Sequence, residues 1–126
     1  MAYGILCVDD EEQNLVVFRE VFESTDYTVY TAMDGMDALA QVREKRPDVV
    51  FLDIAMPQMR GDEALPLIYQ VDPDIAVIVV SGRTSEDAAR DLLKVGAFDY
   101  IYKPFGIYRL LDVVEYWRRD KEAGGG

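Results

Sequence analysis

Five short apolar runs alternate with five amphipathic stretches along 126 residues, joined by short connections, and together they predict an α/β domain. Its centre would be one parallel sheet with helices on both faces. Runs 4–8, 49–53 and 75–80 are almost uninterruptedly apolar, as strands buried on both sides are. The segments between them repeat apolar residues at helical spacing. This length suits a single domain with its own core. The domain is expected over residues 1–121, with 122–126 a flexible tail or linker stub ending in three glycines.

The first strand, Gly4 to Val8, stops at Asp9-Asp10-Glu11-Glu12. A helix then starts near Glu11 and places Asn14, Val17, Phe18, Val21 and Phe22 on one face. Residues Tyr27 to Thr31, rich in aromatic and β-branched side chains, form an edge strand. Asp34 and Gly35 introduce a second helix to about Lys45 with Ala38, Leu39 and Val42 inward, and Pro47 ends it. The third strand covers 48–53. Gly61-Asp62 opens the third helix, where Pro66 predicts an irregular first turn if Asp62 is the cap. The fourth strand, 75–80, ends in Ser81-Gly82. A weakly amphipathic helix from about Ser85 to Val95 carries Ala88, Ala89, Leu92 and Leu93, and Gly96 suits its stop. Phe98 to Tyr102 is the fifth strand, followed by Lys103-Pro104. Ile107, Leu110, Leu111, Val114 and Trp117 stripe the last helix.

Right-handed crossovers leave few topologies for such a chain. The flavodoxin-like (βα)5 order 2-1-3-4-5 fits best, because strands one, three and four are the most apolar and two and five carry edge-type polar residues. In that fold a ligand crevice lies beyond the carboxyl ends of the strands, between strands one and three.

Composition narrows the chemistry. The chain contains no histidine and one cysteine, Cys7, inside an apolar strand, so zinc sites, Ser-His or Cys-His catalysis and an internal disulfide are excluded. A formal net charge of −11 argues against direct binding of nucleic acid or an anionic membrane. No apolar run is long enough to span a bilayer and no secretory signal opens the chain, which leads to the expectation of a cytoplasmic protein.

The strand ends carry Asp9 and Asp10, Asp53, Ser81 and Lys103. Singly, each has an ordinary explanation: Asp10 with Gln13 resembles a capping box, Asp53 a helix cap, Ser81 a loop hydroxyl, and Lys103 a solvated cation. The fold, however, gathers them at one end of one sheet. Three carboxylates repel unless cations join them, so the cluster asks for Lys103 and a metal. With oxygen ligands alone, a hard cation such as Mg2+ is favoured. A further carboxylate, a hydroxyl and a lysine then match phosphoryl transfer.

At this point the chain closely resembles, over nearly its whole length, the receiver domain of bacterial two-component response regulators. Val8-Asp9-Asp10, Asp53-Ile54-Ala55-Met56-Pro57, Val80-Ser81-Gly82 and Lys103-Pro104-Phe105 stand in that family's order and spacing. The resemblance implies that Asp53 is the phosphoacceptor, taking its group from a sensor histidine kinase, a phosphotransfer protein or a small acyl phosphate. It implies that Asp10, Asp53 and the backbone carbonyl of Ala55 bind Mg2+ directly, with Mn2+ as a substitute, and that Asp9 acts mainly through water. Ser81 and Lys103 would each hold a phosphoryl oxygen, and a cis bond before Pro104 would aim the lysine inward.

Switching is implied as well. Ser81 would move toward the phosphoryl group and Tyr100, alone an ordinary edge-strand tyrosine, would rotate inward. The face of helix four, strand five and helix five would then control an effector, an output domain outside this chain, or a second copy. Such a domain is not an enzyme; it supports only its own phosphorylation and dephosphorylation. Ser81 stands where threonine is more frequent in the family, and Ala55 and Arg83 occupy positions that tune phosphoryl lifetime. Three other readings compete. A free-standing aspartyl-phosphate phosphatase would carry D-x-D after its first strand, and an unphosphorylated scaffold would have lost a site residue. A flavin module would need a phosphate cradle where Asp9-Asp10 stands.

Overall fold

The computed structural model describes residues 3–56, 61–82 and 86–124, apart from the side chains of residues 61, 62 and 86. Its elements are β1 (Gly4–Val8), α1 (Glu12–Glu23), β2 (Thr28–Ala32), α2 (Gly35–Lys45), β3 (Val49–Asp53), α3 (Gly61–Val71), β4 (Ala76–Ser81), α4 (Glu86–Lys94), β5 (Asp99–Tyr102) and α5 (Ile107–Glu122). All strand pairings are parallel and the order is β2-β1-β3-β4-β5, as expected from the apolar patterning. β3 and β4 are buried at every position, which is why their sequences show no alternation.

Strand parity divides the core into two layers. Leu6, Val8, Val50, Leu52, Val77 and Val79 face α2, α3 and α4, which contribute Ala38, Leu39, Leu65, Ile68, Ala89 and Leu92. Ile5, Cys7, Val49, Phe51, Ile78 and Ile101 face α1 and α5, against Phe18, Phe22, Leu110, Val114 and Trp117. Cys7 is fully buried, so it packs as a small apolar residue, and burial pushes its thiol pKa well up.

Several expectations shift. On α1 the buried residues are Leu15, Phe18, Val21 and Phe22, and Val17 is 39% exposed. At about 100° per residue, Leu15 lies within roughly 60° of Phe18, and Val17 lies about 100° away, outside the stripe. On α5, Val113 is buried with Leu110, Val114 and Trp117, whereas Ile107, the first residue of the helix, is 55% exposed. The N-cap of α1 is Glu11 and makes no side-chain cap bond, so the Asp10–Gln13 capping box is not formed. α3 begins at Gly61, which puts Asp62 inside the helix and its cap outside the described residues. Pro57, Arg83 and Ser85, named from the sequence, also lie outside them. Asp34 does cap α2, accepting from the Asp37 N–H at 2.7 Å.

Only Ala89 and Leu92 are buried among the described side chains of α4. Its C-terminus is held by the Ala97 N–H donating to the Leu92 carbonyl at 2.9 Å and by the Tyr69 hydroxyl donating to the Gly96 carbonyl at 2.6 Å. Gly96 has φ of 120°, and a Cβ there would lie 3.2 Å from the Tyr69 ring, so only glycine suits this stop. At the far end of α5, Arg118 lies near the rings of Tyr3 and Tyr27, 5.4 and 5.5 Å from their centroids, and hydrogen-bonds Glu122 at 3.1 Å. That contact fastens the helix to the amino ends of β1 and β2.

Candidate functional site at the carboxyl ends of the strands

Register lines the strand ends up. Val8 of β1 pairs with Leu52 of β3, so Asp9 and Asp53 each follow at the same level. Asp53 pairs with Val80, and Ser81 pairs with Tyr102, the residue before Lys103. The Lys103 N–H donates to the Ser81 carbonyl at 2.8 Å, which extends the ladder one step past β5. By the two-residue period of strands, Asp9, Asp53 and Lys103 continue the α1/α5 face set by Cys7, Phe51 and Ile101. Ser81 continues the opposite face, set by Val79 and shared with Tyr100.

Asp9 is 1% exposed and Asp53 3%, which is unusual for carboxylates without charged partners. Lys103 is that partner for both: its Nζ stands 2.8 Å from Asp53 Oδ2 and 3.2 Å from Asp9 Oδ2. Burial pulls the lysine pKa down, but hydrogen bonds and charge from Asp53 and Asp9 outweigh it and hold the ammonium above the ordinary lysine value. The remaining oxygens are also engaged. Asp53 Oδ1 accepts from the Ala55 N–H at 2.9 Å, and Asp9 Oδ1 accepts from the Glu11 N–H at 2.9 Å. Asn14 adds a donor that sequence reading did not assign, its Nδ2 lying 3.0 Å from Asp9 Oδ2. The only sequence signal for it was a polar residue on the inward face of α1.

Asp10 is exposed, and one carboxylate oxygen each from Asp9, Asp10 and Asp53 lie within 4.8 Å of one another. Oxygen donors alone, partly open to water, are what a small hard cation uses. Ala55 is exposed beside Asp53. Ser81 is fully buried, and among the described residues its Oγ has no hydrogen-bond partner. A buried hydroxyl without a partner is costly, so this one is available to an acceptor brought to the site. The Lys103–Pro104 peptide bond is cis. Tyr100 is half-buried, its ring 5.0 Å from that of Tyr102 in an edge arrangement, and it packs on the α4-side layer instead of lying free on an edge strand.

Beside the acidic cluster a groove of about 360 Å³ runs between α1 and the β5–α5 connection, lined by Glu11, Asn14, Val17, Lys103, Pro104 and Phe105. Phe105 closes its floor against Phe18 at 5.4 Å. A larger hollow of about 450 Å³ lies at the amino ends of β4 and β5, among Ile75, Phe98 and Trp117. Of the strand-end residues it contains none, whereas the smaller groove is lined by Lys103. All the sequence-predicted site residues that lie among the described ones, Asp9, Asp10, Asp53, Ala55, Ser81, Lys103 and Pro104, meet at this one end, and Tyr100 lies a short way along β5.

Comparison with known proteins agrees in sequence and in fold. The sequence profile described as "Response regulator receiver domain" matches residues 5–115. The chemotaxis protein CheY of Listeria monocytogenes is 37% identical over 112 residues, covering 88% of this chain and 94% of that protein. The nitrogen assimilation regulatory protein NtrX of Azorhizobium caulinodans is 37% identical over 117 residues, which is 91% of this chain but 26% of NtrX. The chain therefore spans about a quarter of that regulator's length. Among solved structures, a CheY-like response regulator receiver domain protein from Methanospirillum hungatei superposes with a TM-score of 0.91 at 28% identity, covering 99% of this chain and all of that one. The receiver domain of NtrX from Brucella abortus gives 0.84 at 32% identity over 89% of this chain and 95% of its own.

Proposed function

This chain belongs to the response regulator receiver domain family, and from that premise we propose that it is a phosphorylation switch in which Asp53 is the phosphoacceptor. The observation that carries the reading is the pairing of one lysine with two buried carboxylates beside an unpartnered buried hydroxyl. An Asp53 carboxylate oxygen attacks the phosphorus of the donor, either a phosphohistidine of a sensor kinase or phosphotransfer protein or a small acyl phosphate. The new O–P bond forms as the P–N or P–O bond to the donor breaks. The electron pair of the broken bond leaves with the donor's nitrogen or oxygen. Lys103 passes from Asp53 Oδ2 to a phosphoryl oxygen, keeping one positive charge beside the moving negative charge. Ser81 donates to a second oxygen and thereby gains the partner it lacks.

Asp10, Asp53 and the carbonyl of Ala55 would hold Mg2+, or Mn2+ in its place, with Asp9 acting through water; such a cation supplies charge neutralisation for the transferring oxygens. The exposed small side chain of Ala55 leaves the group open to water, and hydrolysis resets the switch. The domain transforms no separate substrate. Phosphorylation adds roughly 1.5 to 2 negative charges at Asp53. Ser81 then moves toward them from the α4 side of the sheet, and Tyr100, on that same side, follows. The thin anchoring of α4 lets the α4–β5–α5 face respond, controlling an effector, an output domain or pairing of two copies.

The test is incubation with acetyl phosphate or phosphoramidate and Mg2+, followed by intact-mass measurement of the parent and Asp53→Asn. An acid-stable, base-labile gain of one phosphoryl group is expected on the parent alone. Equal labelling of the variant, or labelling that survives a chelator, would sink the mechanism.

A further inference from the structure

We infer that Asn14 is a positioning residue of the divalent-cation site, acting through Asp9. This inference rests on the proposed role of the acidic cluster.

Among the described residues, Asp9 has three donors for its two oxygens. Oδ1 takes the Glu11 N–H, while Oδ2 is shared by Lys103 Nζ at 3.2 Å and Asn14 Nδ2 at 3.0 Å. These bonds differ in permanence. The lysine is also bonded to Asp53 at 2.8 Å and must follow charge when the charge of Asp53 changes. The Glu11 N–H restrains only the other oxygen. Asn14 is neutral and half-buried in the first turn of α1, so its amide stays on Oδ2 when the lysine leaves. Without it, Oδ2 would be held only by a cation with a competing partner 2.8 Å away, and the carboxylate could swing about its Cβ–Cγ bond. Partners that orient direct metal ligands are commonly worth a factor of about 10 to 100 in metal affinity; Asp9 acts through water, one step further out, so the low end of that range applies.

A neutral donor has a further advantage at this position. A second cation on Asp9 would stabilise the carboxylate equally well but would oppose the incoming ion, whereas the amide orients it without adding charge. Asn14 also borders the groove of about 360 Å³, so the side chain has open space on one side. One extra methylene therefore fits there.

The experiment measures Mn2+ binding to the unphosphorylated protein through the electron paramagnetic resonance signal of the free ion, for the parent, Asn14→Leu and Asn14→Gln. Leucine removes the donor at similar volume and should weaken binding about tenfold. Glutamine, which keeps the amide and has room for its longer stem, should remain within about threefold of the parent. Circular dichroism melts accompany each protein, and a leucine variant unfolded at the assay temperature is replaced by Asn14→Ala, for which weakened binding is likewise expected. Equal affinity of parent and donor-lacking variant would overturn the inference while leaving the phosphoacceptor reading intact. Equal weakening by leucine and glutamine would assign the effect to packing and also overturn it. A parent that binds no Mn2+ would overturn this inference together with the reading it rests on.

Discussion

Replacing Asp10 by asparagine should reverse its effect on stability according to whether Mg2+ is present. Oxygens of Asp9, Asp10 and Asp53 lie within 4.8 Å of one another, and the donors that relieve the cluster go to Asp9 and Asp53. Two unit charges 4.8 Å apart repel by about 0.9 kcal/mol in a water-like dielectric, the appropriate limit for an exposed group such as Asp10. Asp10 has two such neighbours, and the attraction of Lys103 offsets about one of them. The isosteric, uncharged variant should therefore be about 1 kcal/mol more stable in chelator, a gain of about 4 °C in melting temperature for a domain of this size.

Saturating cation changes the order. At a free Mg2+ concentration 100 times its Kd, the parent gains about 2.7 kcal/mol by mass action. The variant, having lost a ligand, gains little of this and falls about 1 to 2 kcal/mol behind. Urea denaturation in EDTA and in excess Mg2+ reads both halves, provided that the slopes of the two proteins agree. A variant less stable than the parent in EDTA would refute the repulsion. The same order in both buffers would refute the assignment of Asp10 to the cation.

Two other outcomes follow from single atoms. Ser81→Ala removes a buried hydroxyl that has no partner, so the unphosphorylated protein should lose no stability and should gain about 1 kcal/mol. The extra stabilisation that a phosphoryl mimic gives the parent should shrink by a similar amount, and a loss of more than about 2 kcal/mol in the unliganded variant would contradict the unpaired hydroxyl. Tyr69→Phe deletes the hydroxyl bonded to Gly96 and should cost about 1 kcal/mol at pH 8. Burial raises the Tyr69 pKa above 10.0, so the folded state keeps the phenol protonated; the stability this supplies is fully present below the unfolded value near pH 10 and is lost as pH rises through the folded one. Lys103, also raised, contributes with the same sign. Denaturant midpoints from pH 8 to 11 should therefore fall less steeply for Tyr69→Phe than for the parent, and parallel curves would be the contrary result.

What could be read from the sequence and what could not are separated by a physical boundary. β1, β3 and β4 were legible because a strand buried on both faces must be apolar throughout, and a parallel sheet with short crossovers permits few orders. Once those strands stand in order, their last residues share one edge whatever the loops do, so Asp9, Asp53, Ser81 and Lys103 could be gathered from a one-dimensional chain. Partnerships among them could not. That Lys103 reaches two carboxylates, that Asn14 holds one, and that Ser81 holds none depends on distances within about an ångström, set by the turn from Val8 to Glu12 and by the chain around Pro104. The choice of Leu15 over Val17 on α1 was likewise lost in a difference of some 40° around the helix.

Strand parity carries one step further than either source alone. Asp53 and Lys103 lie on the α1/α5 side, but Ser81 and Tyr100 lie on the α4 side. Under the proposed mechanism, a charge placed on Asp53 would meet its lysine on one side and would reach the other by drawing the Ser81 hydroxyl around the end of β4. Of the strand-end groups, Ser81 is the one positioned to pass that charge toward α4. Under that same proposal, a buried and unbonded hydroxyl is ready for the charge when it arrives.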